Sequence, residues 1–282
     1  MPPSRTPIAH ALPVLVVLAL GASGAAAHPG PHERIAALSL ALERRPGDAG
    51  LWVERAGEYL ADGDAAAALR DLDRARSLAP GNADEPLARG ATLLALGRAA
   101  EAEAQLTLAV LRAPASEEAR RMRARARLTL GRPRDAADDF GRAMALSPTP
   151  SPDDVLEWSR ALESAGAERA ALAALERGLA TLGACPALTG EAVRLECALG
   201  AWDDALARID RHAGAWGSEA ARRARRGDVL RAAGREIEAQ AEYSAALAVL
   251  ETRPRRARGT VASMETRLRA ALRGESSVPV AP

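Results

Sequence analysis

The chain has 282 residues, with 38 basic and 37 acidic side chains, so its formal net charge at pH 7 is only +1. This balance excludes the strong overall field by which basic proteins recruit nucleic acid or an anionic membrane surface. Aromatic residues make up only 2% of the chain, fewer than a single globular core of this size would normally use. Alanine and leucine, which favour closely packed helices, are left to build the interior.

Residues 1–27 predict a secretory signal peptide. Arg5 is followed by an apolar run at residues 12–20 and by small residues that end in three alanines at 25–27. This order is typical of a signal peptide, and the apolar run is shorter than the roughly 20 residues that a membrane span needs. An uncleaved anchor is the alternative. Every basic residue apart from histidine is arginine and alanine is abundant, which suggests a GC-rich bacterial genome. We therefore expect export to the periplasm or the exterior of a Gram-negative-type bacterium.

Cleavage after Ala27 would leave His28 as the mature N-terminus. A terminal histidine can chelate a metal through its amine and its ring, and His32 lies close by in the sequence. A metal-binding protein is therefore one alternative function. The prolines and glycine between these two histidines disfavour regular structure, so residues 28–33 predict a flexible leader. Residues 34–48 then predict a single helix, a half-repeat that caps the N-terminal end of a helical array.

A repeat of about 34 residues fills most of the remaining chain. Glycines recur at spacings of 34, 34, 35, 34 and 34 residues, at Gly63, Gly97, Gly131, Gly166, Gly200 and Gly234. Five residues after each glycine comes an alanine, at Ala68, Ala102, Ala136, Ala171, Ala205 and Ala239. Four residues further on comes a bulky side chain, at Leu72, Leu106, Phe140, Leu175, Ile209 and Tyr243. Proline also recurs every 34 residues, at Pro46, Pro80, Pro114 and Pro148.

Each repeated residue has a mechanical role in a pair of helices. Glycine accommodates the turn that ends the first helix, and alanine lets the second helix cross the first closely. The bulky residue fills the space toward the next pair, and proline stops the second helix. One such pair cannot bury its own apolar face, so the pairs must stack.

These residues resemble the tetratricopeptide-repeat family, which has the same repeat length. The first full unit matches best, with Trp52, Ala56, Tyr59, Ala75 and Pro80 at the family's signature positions as well. The resemblance implies an all-α, right-handed solenoid of antiparallel helix pairs over residues 34–252. Its six units are residues 49–82, 83–116, 117–150, 151–185, 186–219 and 220–252.

The C-terminal part predicts a cap and a tail. Residues 253–273 predict a basic linker followed by a capping helix, because Val261, Met264, Leu268 and Leu272 share one helical face. Residues 274–282 have no apolar periodicity and predict a disordered tail.

Motifs for chemistry are lacking in the sequence. It shows no nucleophile motif, phosphate-binding loop or clustered metal-ligand pattern, so we expect neither an enzyme nor a bound cofactor. Cys185 and Cys197 are predicted to flank one helix, roughly 18 Å apart at 1.5 Å per residue. This is too far for a disulfide, so we expect two free thiols.

The family resemblance implies that the first helices line a concave groove that holds an extended or helical peptide. The groove-facing charged residues are Arg121, Arg125, Arg160, Arg194 and Asp228, and the groove begins with apolar Val53, Leu60, Leu87 and Leu94. One hypothesis is that the arginines bind an acidic segment or a C-terminal carboxylate. The alternative is that they are solvated or pair with Glu157, Glu163 and Glu191 on nearby turns.

The sequence thus predicts an exported, non-catalytic scaffold that binds a protein or peptide partner, with a monomer favoured. A second interpretation is a structural adaptor in an envelope or secretion assembly, which would use its terminal or convex surfaces.

Overall fold

The computed structural model describes residues 30–252 and 262–275. Within those two ranges the chain forms fourteen α-helices and one short 3-10 helix, and it forms no strand. The helices are α1 (Pro31–Arg44), α2 (Ala49–Ala61), α3 (Ala65–Leu78), α4 (Asp84–Ala95), α5 (Ala99–Arg112), α6 (Glu117–Thr129), α7 (Pro133–Leu146), α8 (Pro152–Ser164), α9 (Glu168–Leu182), α10 (Pro186–Ala198), α11 (Trp202–Arg211), α12 (Glu219–Ala232), α13 (Glu236–Glu251) and α14 (Ala262–Leu272).

The six predicted glycines all form the turn inside a helix pair. Each lies two residues beyond the end of a first helix, and their φ angles range from 71° to 87°. In the first unit, Gly63 donates its backbone N–H to Leu60 at 3.1 Å, and Asp64 donates to Tyr59 at 2.8 Å. These bonds satisfy carbonyls that the helix end would otherwise leave unpaired. A side chain with a Cβ would strain this left-handed backbone, which is why glycine recurs there.

The repeated alanines and bulky residues form the core. All six alanines, which begin with Ala68, are completely buried, and all six bulky residues, which begin with Leu72, are at least 99% buried. Each helix packs on the next along the chain, and first helices also touch across pairs, α2 with α4 and α8 with α10. Helix α14 covers the last pair, with Leu268 and Ala271 buried in the same cluster as Tyr243 and Leu250. The prediction of an all-α repeat solenoid is confirmed.

The structure differs from the predicted organisation at the N-terminal leader, and the fifth unit has an irregular second helix. Helix α1 begins at Pro31, so residues 31–33 belong to a helix and not to a flexible leader. Proline is well suited to the first turn, because a backbone N–H at that position has no acceptor within the helix. The negative charge of Glu33 is stabilising near the positive end of the helix dipole. The second helix of the fifth unit is short, because α11 ends at Arg211 and a 3-10 turn follows at Ala213–Trp216.

Three predictions concern segments outside the described residues. They are the signal peptide, the basic linker at residues 253–261 and the tail beyond Glu275. Among the residues that are described, no helix combines the length and the apolar character needed to cross a membrane.

Candidate functional site

The predicted groove begins with four apolar side chains of α2 and α4 that pack on the core and stay partly exposed. Val53 and Leu60 of α2, with Leu87 and Leu94 of α4, are only partly buried. Gly57 is exposed between the first two, and a Cβ built there would meet nothing within 4 Å. This part of the predicted groove therefore combines exposed hydrocarbon with room for another chain, a combination that favours binding of an apolar segment.

Three of the predicted groove arginines are engaged with carboxylates of an adjacent unit. Arg121 donates to Asp154 at 2.9 Å and also contacts Glu118. Arg125 pairs with Glu157 at 3.0 Å. These bonds join α6 to α8, so they tie the third unit to the fourth.

Arg194 of α10 makes the corresponding link between the fourth and fifth units. It pairs with Glu191 at 2.8 Å and also with Glu163 of α8. These two carboxylates raise the pKa of the Arg194 guanidinium, against the opposing effect of burial. For Arg125 and Arg194 the structure therefore favours the predicted alternative of internal pairing.

Asp154 is held ionised by its surroundings. Burial alone would raise its pKa, but hydrogen bonds from Ser151 and the charge of Arg121 outweigh burial and lower it. Ser151 and Asp154 also form a capping box, in which each side chain accepts a hydrogen bond from the other's backbone N–H at the start of α8. The first turn of α8 is thus fixed next to the groove.

Arg160 differs from the other three groove arginines. Its side chain is exposed, and it has no hydrogen-bond or ion-pair partner within the described ranges. It lines a concavity of about 580 Å³ together with Glu163, Ser164, Glu191 and Arg194. The two arginines and two glutamates of this concavity sum to zero charge, and Arg160 is the one of the four that forms no ion pair within the described ranges.

Asp228 is paired within the fold. Its carboxylate accepts a hydrogen bond from the Tyr243 hydroxyl at 3.1 Å and pairs with Arg267 of α14 at 3.2 Å. Its side chain is 15% exposed. Asp228 therefore anchors the capping helix through partners that the repeat register does not show, and its role as a binding residue stays a prediction.

A second set of ion pairs, which sequence reasoning missed, joins the two helices within a unit. An arginine eight residues before the turn glycine pairs with an acid eight residues after it. The three pairs are Arg55–Asp71 at 2.7 Å, Arg123–Asp139 at 2.7 Å and Arg226–Glu242 at 2.8 Å. The signal was present in the sequence as a fixed spacing of 16 residues.

The second, fourth and fifth units lack this pair, and the fourth departs from it most. It carries Trp158 and Ala174 at the two positions, and a cleft of about 300 Å³ lies between α7 and α9. Gly141 and Gly178 form part of its wall, and the Arg177 guanidinium carbon lies 4.5 Å from the centre of the Trp158 ring. We call this the Trp158 cleft. The second helices α7 and α9 supply most of its wall, Trp158 comes from the first helix α8, and none of the predicted groove residues lines it.

The remaining candidate residues are dispersed. Cys185 is partly exposed and Cys197 is buried, and both are free thiols. Burial raises the pKa of Cys197 to about 11. His32 is exposed on α1, 3.3 Å from Asp62, whereas His28 lies outside the described residues. Across the described part of the chain, no group of three or more His, Cys, Asp or Glu side chains is arranged to hold a metal ion.

Comparison with known proteins identifies the fold. No protein-family model matches the chain, and no curated protein matches it. Among solved structures, the C-terminal part of a TPR repeat-containing protein from Cytophaga hutchinsonii is similar with a TM-score of 0.63 at 15% identity, over 79% of this chain and 92% of that one. A tetratricopeptide repeat protein from Parabacteroides merdae gives a TM-score of 0.50 at 15% identity, over 84% and 92% of the two chains.

A third similar structure is YrrB, described as a TPR protein with an unusual peptide-binding site. Its TM-score is 0.50 at 14% identity, over 64% of this chain and 93% of that one. Together with the stacked helix pairs, these likenesses place the chain in the class of α-solenoids. Its particular fold is that of the tetratricopeptide-repeat proteins.

Proposed function

We propose that the protein is a non-catalytic scaffold that binds a segment of a protein partner along the concave groove. The observation that carries this proposal is the contrast within the groove itself. Arg121, Arg125 and Arg194 are held by carboxylates of neighbouring helices, whereas Arg160 is exposed and unpaired within the described ranges. An unpaired arginine is available to an acidic partner, whereas an arginine that is already paired gains little from a new one.

The partner segment that fits has apolar side chains along one part and an acidic group further on. The apolar side chains would cover Val53, Leu60, Leu87 and Leu94, which the fold leaves partly exposed. The acidic group would accept charge-assisted hydrogen bonds from Arg160. The peptide-binding site described for YrrB supports this use of the fold.

The test is selection of peptides from a random dodecapeptide library on phage, with the full mature chain as the target. We expect enriched sequences that carry at least one Asp or Glu beside apolar residues. Arg160→Glu should weaken their binding about tenfold or more, since it replaces an attraction by a repulsion. The matched control is Arg169→Glu on α9, an exposed arginine on a second helix. Equal loss of binding in both variants, or no loss in either, would reject the groove.

We also propose that the protein acts after export from the cytoplasm. The support is the order of Arg5, the apolar run at residues 12–20 and the three alanines at 25–27. Expression of the full chain in a Gram-negative host, followed by N-terminal sequencing of the periplasmic fraction, should give His28 as the first residue. Recovery of the chain only from the cytoplasm, with residues 1–27 intact, would contradict export.

A further inference from the structure

We propose that the Trp158 cleft is a second binding site, which takes the C-terminal residue of a peptide. In this proposal the apolar side chain of that residue packs on the Trp158 ring. Its carboxylate accepts hydrogen bonds from the Arg177 guanidinium and from Nε1–H of Trp158. The site is distinct from the proposed groove site, because α7 and α9 supply most of its wall and none of the predicted groove residues lines it, although Trp158 itself lies on the first helix α8.

The cleft has the shape and the surface of a small ligand site. Its volume of about 300 Å³ is at the lower end of the range for small-ligand pockets. Met144, Ala145 and Ala174 supply apolar wall. A Cβ built on Gly141 would lie 3.4 Å from the Trp158 ring, so this glycine leaves one edge of the ring uncovered.

The charges of the cleft favour an anionic ligand. Arg177 is exposed, and it is the one charged residue among those that line the cleft. In the part of the chain that the structure describes, it stacks on Trp158 and has no carboxylate partner. A cation at the mouth of an apolar cleft, with no acid beside it, complements a ligand that combines hydrocarbon with a carboxylate.

The Trp158 indole N–H points to the same ligand. Two other tryptophans donate this hydrogen to a backbone carbonyl, Trp52 to Pro46 at 3.0 Å and Trp216 to Ile209 at 3.1 Å. Like the indole N–H of the fourth tryptophan, Trp202, that of Trp158 has no acceptor among the described residues. Its neighbour in the cleft is Gly141, whose added Cβ would lie 3.5 Å from that nitrogen. The cleft therefore offers two donors that lack acceptors, next to one apolar surface.

The small size of the site favours a chain terminus over an acidic side chain. A C-terminal residue carries its apolar side chain and its carboxylate on the same Cα, so both fit one narrow cleft. In an internal segment the chain would have to continue past the rim. Pro148 and Pro150 of that rim have no N–H to offer the continuing backbone.

The experiment is an NMR titration of the full mature chain labelled with ¹⁵N. The chain has four tryptophans, and the Trp158 indole signal is assigned by its loss in Trp158→Phe. The probes are N-acetyl-Gly-Gly-Leu and N-acetyl-Gly-Gly-Phe as free acids, the same peptides as C-terminal amides, and N-acetyl-Gly-Phe-Asp-Gly-amide. We expect the free acids to shift the Trp158 indole signal and to bind about tenfold more tightly than either kind of amide.

Substitutions at the rim separate charge from shape. Ala145 is exposed and lines the cleft, so Ala145→Glu adds a carboxylate that competes for Arg177, while Ala145→Gln adds similar bulk without charge. We expect Ala145→Glu to bind the free-acid peptides about tenfold more weakly than Ala145→Gln does. Arg177→Gln should weaken it similarly, and Arg142→Gln on α7 should leave it unchanged.

Four results would overturn the proposal, three of them for the site and the fourth for the choice of a chain terminus. The first is an absence of any shift at Trp158 up to the solubility limit of the peptides. The second is equal affinity for free acids and amides, and the third is equal binding by the two Ala145 variants. If the internal-aspartate peptide binds as tightly as the free acids, the assignment to a chain terminus is wrong. None of these outcomes depends on Arg160, so the groove proposal stands or falls separately.

Discussion

The Trp158 cleft has a counterpart of nearly the same size between α3 and α5. The two measure about 300 and 280 Å³. Three wall positions are equivalent in the repeat: thirteen residues after one turn glycine, and eight before and eight after the next. In the cleft between α3 and α5 these residues are Arg76, Arg89 and Gln105. In the Trp158 cleft they are Met144, Trp158 and Ala174.

The chemistry of the two clefts is opposite. In the cleft between α3 and α5, Arg76 donates to Gln105 at 2.7 Å, and both arginines pair with the buried carboxylate of Glu85. In the Trp158 cleft these links are replaced by an apolar wall and an arginine without a carboxylate. The two openings are similar in size, while the side chains of their walls decide whether the charged groups pair with one another, as around Glu85, or leave an arginine without a carboxylate, as at Arg177.

The largest effect should follow from breaking the self-paired cleft. Arg89→Ala removes the arginine that lies 2.6 Å from Glu85, whose side chain is 2% exposed, and leaves Arg76 as its remaining partner. We expect the free energy of unfolding in urea to fall by about 3 kcal/mol, because a buried carboxylate becomes poorly compensated. Arg70→Ala on the exposed side of α3 is the control and should change it little. A loss below about 1 kcal/mol for Arg89→Ala would show that the pair contributes little to stability.

A smaller change in stability is expected when alanine replaces either glycine of the Trp158 cleft, and the two replacements should have opposite signs. A Cβ at position 178 would lie 2.7 Å from a Val155 methyl carbon, whereas one at 141 would make ordinary contact with Trp158. Gly178→Ala should therefore cost about 2 kcal/mol through overpacking. Gly141→Ala should stabilise the helix by about 0.5 kcal/mol or more. Thermal unfolding followed by circular dichroism distinguishes the two, and an equal change in both would contradict the packing described here.

The sixth unit differs from the units of the two clefts at the bulky core position. It carries Tyr243 there, whereas they carry Leu106 and Leu175. Burial, with the nearby charge of Asp228, raises the pKa of the Tyr243 hydroxyl. The folded state therefore keeps this proton at pH values where the unfolded chain, with an ordinary pKa of about 10, has lost it. Stability should be fully present below pH 10 and fall as the pH rises, by about 1 kcal/mol at pH 11.

Tyr243→Phe isolates this contribution. The free energy of unfolding is measured at pH 9 and pH 11 for the wild-type protein and the variant. Its fall between the two pH values should be about 1 kcal/mol smaller in Tyr243→Phe. The same fall with pH in both proteins would assign the effect to other groups.

The smallest effects should come from the paired arginines of the groove. Arg125 is 41% exposed in its pair with Glu157, so Arg125→Gln should cost only about 0.5 kcal/mol, and less in high salt. Arg160→Gln should cost almost nothing, because no partner is lost. Chemical denaturation at low and high salt measures both values. A larger loss for Arg160→Gln than for Arg125→Gln would contradict the assignment of partners.

Much of the fold follows from the sequence because the repeat is encoded locally. Glycine at each turn, alanine at each crossing and a bulky residue one turn later are short-range requirements, and six copies reinforce one another. The pairing of Arg125 and Arg194 with glutamates was also among the predicted alternatives. The Trp158 cleft had a signal too, since Trp158 replaces an arginine of the repeat, but its volume depends on how α7 and α9 stack.

Other contacts lay beyond local reasoning. Arg121 meets Asp154 at a separation of 33 residues, and Asp228 meets Arg267 at 39, so both depend on the rotation between stacked pairs. The sequence analysis does not predict the start of α1 at Pro31, because proline and glycine disfavour regular structure inside an element. Proline at the first position of a helix is compatible with it.

The most direct test of the groove is amide hydrogen exchange of the full mature chain, with and without a saturating peptide selected by the wild-type protein. We predict slower exchange in the first helices, above all α2, α4 and α8, and little change in α3, α5 and α13. Slower exchange confined to the second helices or to α14 would contradict a ligand in the concave groove.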